Sequence, residues 1–574
     1  MKTPKSQSFL HGALIIMMGT FISKFIGIFF RLLVGNIIGA EGHGYYGSAY
    51  SIYKPLYALS ISGLPVALAK IITENAQNEK GYKIDHVFRV AQRLFMLIGV
   101  VLMGAMVVFS KQLAVFMCNP GAKLCIMALA PVAFFACLGG AYKGYYEGCR
   151  NMYPTAWSEA IEAVARLVFG TLFAVLGLKV GVWQFATTKT VFGMVVTSQH
   201  EAALICGAAG SLLGITVSCA LGTIFLILRK GREEFPTPAV PRSERSTAEI
   251  LRRIIAIAVP LCLGSIVFNV SGNIDARTGK SGLMQAMAAN PHEFARMLDS
   301  LKAPVNDITN LLWGGYGLLL PLYNFVPAIM VSFGVSLLPC LAGAWSSRSH
   351  EEVGKHVETS LRVTNALAVS AGCLVALNAE HILSLIYSQR VAEMMLVAPC
   401  LRILGVGIIF TSLASTTNVI LQATGRFKLP TLLMAGGVAL KYIVNKILIP
   451  NPKFNIKGAA IGTLVCYFFI ASVGLLLALK ITRVKLDVKS VFLKPLLVGL
   501  CTLLVGFLCA QICSFFPSHS VAVWRFQQVI IVFLPILLFP FFLLFCRVLT
   551  EDDVLMFPSG EKFLPFLKKH RFLL

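Results

Sequence analysis

Charge is what this chain has least of. Of its 574 residues only 13% are Asp, Glu, Lys or Arg, against 57% hydrophobic residues, and the mean hydropathy is +0.77. That balance excludes an ordinary water-soluble globular protein. The alternating pattern of a membrane β-barrel is missing too. So are the signatures of soluble-enzyme chemistry: there is no GxxxxGK[ST] phosphate loop, no GxSxG elbow and no dinucleotide fingerprint. The 15 cysteines sit mostly inside apolar runs, with no CxxC and no Cys/His zinc spacing, and read as small hydrophobes. Cys118 and Cys125, in or beside one outer loop, are the pair that could bridge. No metal and no cofactor are expected.

What the chain does have is run after run of about 20 apolar residues, the length of a helical crossing of a bilayer core. Because lipid offers no partner to free backbone groups, the expectation is an all-α integral membrane protein. About 14 crossings can be placed, centred near residues 24, 60, 99, 134, 167, 215, 263, 331, 369, 408, 440, 468, 502 and 536. The first apolar stretch, from Phe9 to about Gly39, is too long for a signal-peptide core and reads as a retained helix.

The formal net charge of +24 does not indicate nucleic acid, because the basic residues are spread through loops without a binding motif. Loops taken alternately from an interior N-terminus carry roughly 29 Lys and Arg on that side and roughly 12 on the other. The excess lies mainly in residues 229–253 and 480–494. Both termini are therefore expected in the cytoplasm, with polybasic loops beside anionic membrane lipids. A monomer is the working expectation.

Residues 229–250 form a polar, proline-containing stretch that divides the chain into an N-terminal six-helix lobe (1–228) and a C-terminal six-helix lobe (251–480). Two further helices and a tail follow (481–574). Landmarks recur in order across this divide. Gly44-Tyr45-Tyr46-Gly47 resembles Gly315-Tyr316-Gly317; Pro55, Ser60 and Pro65 match Pro327, Ser332 and Pro339; Arg150 and Pro154 match Arg426 and Pro430. An even number of crossings separates each pair, so the halves are expected to be parallel repeats, an arrangement suited to alternating access.

An ionised side chain at mid-membrane costs roughly 2.5 to 3.5 kcal/mol on insertion scales, so such residues usually face a bundle interior or water. Lys24 and Arg31 lie seven residues apart on one face of the first helix, and Lys54 precedes Pro55 in the second. Together they make a cationic lining whose natural guest is an anion; the bland alternative is snorkelling to headgroups. In the second half the counterparts are Lys441 and Lys446, with Arg402 inside the tenth crossing; Lys446 is expected at the interface, and Arg402 and Lys441 deeper, as candidates to line the cavity. Glu159, Glu162 and Arg166 form either a self-neutralised helix entrance, or a gate or a coupling site for Na+ or H+. Asp275 is expected to close the seventh crossing as a gate partner or a solvated helix end.

The stretch GYYEGCRNMYPTAWSEAIEAVAR, residues 144–166, together with YKPLYALSISGLPVALAK and SFGVSLLPCLAGAW, resembles the stage V sporulation protein B-like branch of bacterial polysaccharide and lipid exporters. That branch lies in the multidrug/oligosaccharidyl-lipid/polysaccharide superfamily, whose members have a MATE-like fold. The resemblance implies a 14-helix flippase of the bacterial cytoplasmic membrane. Its cargo would be an undecaprenyl-diphosphate-linked saccharide, with the peptidoglycan precursor lipid II as the named candidate. In related lipid II flippases basic residues of the first two helices line the cavity, and Lys24, Arg31 and Lys54 occupy similar places. Lys at two of them gives point charges where Arg would give bidentate forks. Rival readings are a multidrug/cation antiporter, which needs a deep free carboxylate, a membrane glycosyltransferase using His292, Glu293, Asp299 or Asp307, and a scaffold without transport.

Overall fold

The computed structural model describes residues 9–58, 63–77, 84–149, 151–230, 247–301, 305–426, 428–515 and 520–548. Arg150, Ser60 and most of the 229–250 stretch lie outside these residues, as does the tail beyond 548. The described chain is nearly all helix: α1 (Phe9–Ala58), α2 (Leu64–Gln77), α3 (Ile84–Val108), α4 (Ser110–Phe116), α5 (Lys123–Gly148), α6 (Tyr153–Thr188), α7 (Gln199–Lys230), α8 (Thr247–Ala289), α9 (Pro291–Leu301), α10 (Ile308–Ser346), α11 (His350–Leu377), α12 (Ala379–Ile386), α13 (Val391–Ala423), α14 (Lys428–Leu448), α15 (Lys457–Thr482), α16 (Lys494–Phe515) and α17 (Val521–Phe545). Twelve stretches among the described residues are long and apolar enough to cross a membrane. This is a multi-pass membrane protein.

One of those stretches, Ile22–Ala58, is too long to be one crossing: 37 residues of helix reach about 55 Å, nearly twice a bilayer core. Gly39 supplies the break. Its φ of 68° and ψ of −178° fall in a region essentially reserved for glycine, so the helix before it and the helix after it run in different directions. The chain thus passes from the first crossing into the second without a loop.

The polar stretch from Asp275 to Gly315 is largely helical. Helix α8 runs through Asp275 to Ala289, α9 follows after one residue, and α10 starts at Ile308. Asp275 therefore does not end its helix. Helix α9 is amphipathic: Phe294, Met297, Leu298 and Leu301 face inward while His292, Arg296 and Asp299 face out. Cys118 and Cys125 are not bridged; the Cys125 thiol donates instead to the Ile205 carbonyl at 3.9 Å.

The chain packs as two compact units, Met1–Ser281 with Lys302–Leu318, and Gly282–Leu301 with Leu319–Leu574. Residues 251–281 belong with the first helices because Ile254, Ala258 and Cys262 bury against the cluster that holds Leu64, Leu68, Ile72, Phe88 and Tyr146. Within the first unit α6 and α7 lie backbone to backbone: Gly177 and Gly181 abut the carbonyls of Cys206 and Ala202, and Gly210 abuts that of Phe173. Small residues permit such approach, and dispersion between close backbones replaces the hydrophobic drive that lipid cannot supply. In the second unit Leu361, Leu413, Ile420, Ile470 and Ala471 centre the core joining α11, α13 and α15. Ser349 and Ser520 cap α11 and α17 by accepting the amides of Glu352 and Val523. Among the described residues, strand pairing is confined to a hairpin at 190–195, whose turn residues Phe192 and Gly193 both have positive φ.

Candidate functional site

Five rings share one face of the helix that follows Gly39. His43, Tyr46, Tyr50, Tyr53 and Tyr57 recur at alternating spacings of three and four, so they line up along a single stripe. Successive centroids are 4.9, 5.6, 5.6 and 4.9 Å apart. His43, Tyr46 and Tyr53 are buried, while Tyr50 and Tyr57 are half-buried. Tyrosine in an apolar run reads as packing, which is why the stripe went unremarked as a site.

Two cations of the sequence reading converge on the middle ring. The Arg31 guanidinium lies 5.3 Å from the Tyr50 centroid and the Lys54 ammonium 5.4 Å, both within range of the ring's negative face. Arg31 is also in hydrogen-bonding contact with the Tyr50 hydroxyl. Arg166 of α6 is a further electrostatic neighbour of Tyr50 and of Tyr53 and Tyr57. Lys24, two turns before Arg31, is exposed and does not join them; beside it, the Ser23 hydroxyl donates to the Glu159 carbonyl at 3.0 Å.

The entrance of α6 carries its own charge set. Arg166 pairs with Glu162 at 2.6 Å, and Glu159 with Lys143 of α5 at 3.6 Å. Glu162 is 8% exposed. It borders a narrow cavity of about 20 Å³ with Tyr57, Lys143, Ser158, Cys219 and Thr223, room for one water. The Arg166 Nε, by contrast, is buried with no hydrogen-bond partner among the described residues.

A second polar cluster, absent from the sequence reading, lies at the other end of the first unit. Glu41, only 3% exposed, accepts the Asn306 amide at 3.3 Å and the Asp307 amide at 3.1 Å, with His200 at 3.9 Å. These amides open α10, where unsatisfied N–H groups and the helix dipole favour a carboxylate. Asp307 caps α10 itself, accepting the Thr309 amide at 2.9 Å and the Asn310 amide at 3.1 Å. Buried Asn119 donates to Ser48 at 2.9 Å, to the Gly44 carbonyl at 3.2 Å and to Asn310 at 3.0 Å. Gly44 would bring a Cβ to 2.5 Å of the Asn310 carbonyl, and a Cβ at Gly314 would meet the Ala40 carbonyl more closely still, so glycine lets these backbones touch. Lys280, 1% exposed, donates to the Cys118 carbonyl at 3.2 Å. Burial pushes its amine down to about 8, with Asp307 pulling the other way. The signal that could have found this cluster is Glu41-Gly-His43 at a helix start, together with Asp307-Ile-Thr309-Asn310 ahead of an apolar run.

The remaining candidates stand apart. Arg402 is exposed and pairs with Glu380 of α12 at 2.6 Å. Lys441 is half-buried on α14, beside Gly462 and Asn445. Asp275 is half-buried within α8. Of the residues a glycosyltransferase would need, Asp307 is committed to its cap, and Glu293 accepts the Asn290 amide side chain at 3.3 Å.

The first unit is thus a helical membrane bundle with two cations over one tyrosine ring. Residues 9–278 match the polysaccharide biosynthesis protein family and residues 313–447 the MatE family. Both matches agree with the resemblance to the multidrug/oligosaccharidyl-lipid/polysaccharide superfamily. In Bacillus subtilis it is 22% identical to the membrane protein YabM over 81% of this chain and 79% of that protein. It is 21% identical to lipid II flippase MurJ of the same bacterium, over 80% and 81%. A 178-residue stretch is 26% identical to stage V sporulation protein B, covering 30% of this chain and 34% of that one. Among solved structures, lipid II flippase MurJ in an inward closed conformation superposes with a TM-score of 0.62 at 14% identity, over 92% of this chain and 98% of that one. At that identity the likeness shows the fold.

Proposed function

We propose that this protein is a flippase that carries an undecaprenyl-diphosphate-linked saccharide, lipid II being the named candidate, from the inner to the outer leaflet of the bacterial cytoplasmic membrane. Both termini are cytoplasmic, and two parallel lobes alternate in access. The observation that carries the reading is the convergence of Arg31 and Lys54 on one half-buried tyrosine inside an apolar unit. Arg31 is half-buried and Lys54 exposed, and two cations gathered at one ring would favour a guest with negative charge. The diphosphate and sugar would leave water while the polyprenyl tail stays in lipid. An interior-negative potential assists, at roughly 2.3 kcal/mol per charge per 100 mV.

The cluster around Glu41 would hold the outer end shut while the cargo loads, and the Glu159, Glu162, Arg166 and Lys143 set would act at the inner end. The sequence relationship to MurJ and the polysaccharide biosynthesis match support the lipid-linked cargo. The MatE match favours the rival antiporter, but buried Glu162 is already engaged by Arg166, which leaves it poorly placed to compete for an organic cation. Purified protein reconstituted with labelled lipid-linked saccharides tests the reading: headgroups should reach the far leaflet. Flipping of none of them, with organic-cation exchange instead, would establish the antiporter.

A further inference from the structure

The proposed cargo has two linked phosphoryl groups, and the structure holds two cations against one ring. Arg31 and Lys54 come from different helices of the first unit, separated in the chain by the Gly39 break. Like charges on flexible side chains drift apart unless something fixes them. Here the fixing element is Tyr50, whose hydroxyl engages Arg31 and whose ring lies 5.4 Å from the Lys54 ammonium. By these distances the two charges are no more than about 11 Å apart.

The ring cannot easily turn away. It is stacked on Tyr46 with 16° between planes and leans on Tyr53 at 48°, so its orientation is set by the stripe rather than by the cations. Tyr46 and Tyr53 are both buried. Tyr50 itself is half-buried, which leaves room for a polar guest to approach the cations it holds.

We propose that Tyr50 is a positioning residue that makes this site select a diphosphate over a monophosphate, by holding Arg31 with its hydroxyl and Lys54 with its ring at a separation that two linked phosphoryl groups can bridge. A monophosphate meets one cation well and the other poorly; a diphosphate meets both, and each charge-assisted contact adds to the same complex. The inference rests on the anionic-lipid reading above and adds the element that sets its selectivity.

The test uses the full chain in lipid nanodiscs with farnesyl diphosphate and farnesyl monophosphate as probes, measured by competition against each other. Wild type is expected to prefer the diphosphate by ~10-fold or more. Tyr50→Phe keeps the ring and frees Arg31, so the preference should fall part of the way. Tyr50→Leu removes both holds and should bring it to within about two-fold. Thermal melting is recorded in parallel, because a purely structural role would lower the melting temperature and weaken both probes alike without moving their ratio. An unchanged ratio in Tyr50→Leu overturns the proposal and leaves the cargo reading standing. Wild type that binds neither probe refutes both.

Discussion

Glu41→Ala removes the acceptor for two amides at the start of α10, in a place that water reaches poorly. Glu41 is 3% exposed, and the amides it accepts lie at 3.1 and 3.3 Å. Leaving a buried donor unsatisfied costs about 1 to 3 kcal/mol, and Glu41 serves two of them. Water admitted by the smaller side chain offsets part of the loss, so local opening of the 306–310 segment should become easier by about 3 kcal/mol. At 1.4 kcal/mol per decade that is roughly 100-fold faster amide exchange at Asn306 and Asp307. Glu41→Gln keeps an oxygen acceptor without the charge and should give roughly 10-fold. Hydrogen exchange read by mass spectrometry on peptides spanning 305–312 measures both. Protection there that is the same in wild type and Glu41→Ala would refute the assignment of Glu41 as the partner of the α10 amides.

Further outcomes follow from other sites. Replacing Arg31 and Lys54 together by Ala should abolish headgroup translocation in reconstituted vesicles while membrane abundance is kept; Lys24→Ala alone should leave translocation near the wild-type rate, since among the described residues it is Arg31 and Lys54 that lie over the Tyr50 ring. Gly39→Ala forces a side chain into a glycine-only conformation and should lower stability by about 1 to 3 kcal/mol, visible as a lower melting temperature in detergent. Gly314→Ala places a methyl against the Ala40 carbonyl and should be at least as damaging by the same measure. Lys280, with its amine at about 8 in the folded protein and 10.5 as its ordinary value, binds fewer protons folded than unfolded between those limits. Stability should therefore rise with pH from about 8 to about 10.5, by about 3 kcal/mol in all, and Lys280→Met should flatten that rise in a pH series of melts.

The charges on the first two helices stood out because a cation in an apolar run is conspicuous, but the spacing that puts Lys24 and Arg31 on one helix face does not bring Lys24 to the ring that Arg31 meets. What spacing could not give is Tyr50 between Arg31 and Lys54, since that depends on the direction the chain takes after Gly39. Glu41 was harder still. Its partners are main-chain amides 265 and 266 positions away, and an amide has no letter of its own in the sequence. Arg402 looked deep because its neighbours are apolar, yet Glu380, across the loop before α13, answers its charge. Helix α9 is hard to see in sequence for a related reason: polar residues on one of its faces resemble a loop until their period is matched to the apolar residues between them. That the chain crosses a membrane many times was readable because long apolar runs leave it few alternatives, and the separate crossings placed near 24 and 60 fall on either side of the Gly39 break.

The fastening at Glu41 is one-sided in a way that matters for engineering. Its donors belong to the peptide backbone, so side-chain replacements at 306 and 307 leave them in place unless proline is introduced. Tuning the grip is then a matter of position 41 alone, where a shorter acid, an amide or an alkyl group would form a graded series against an unvarying counterpart.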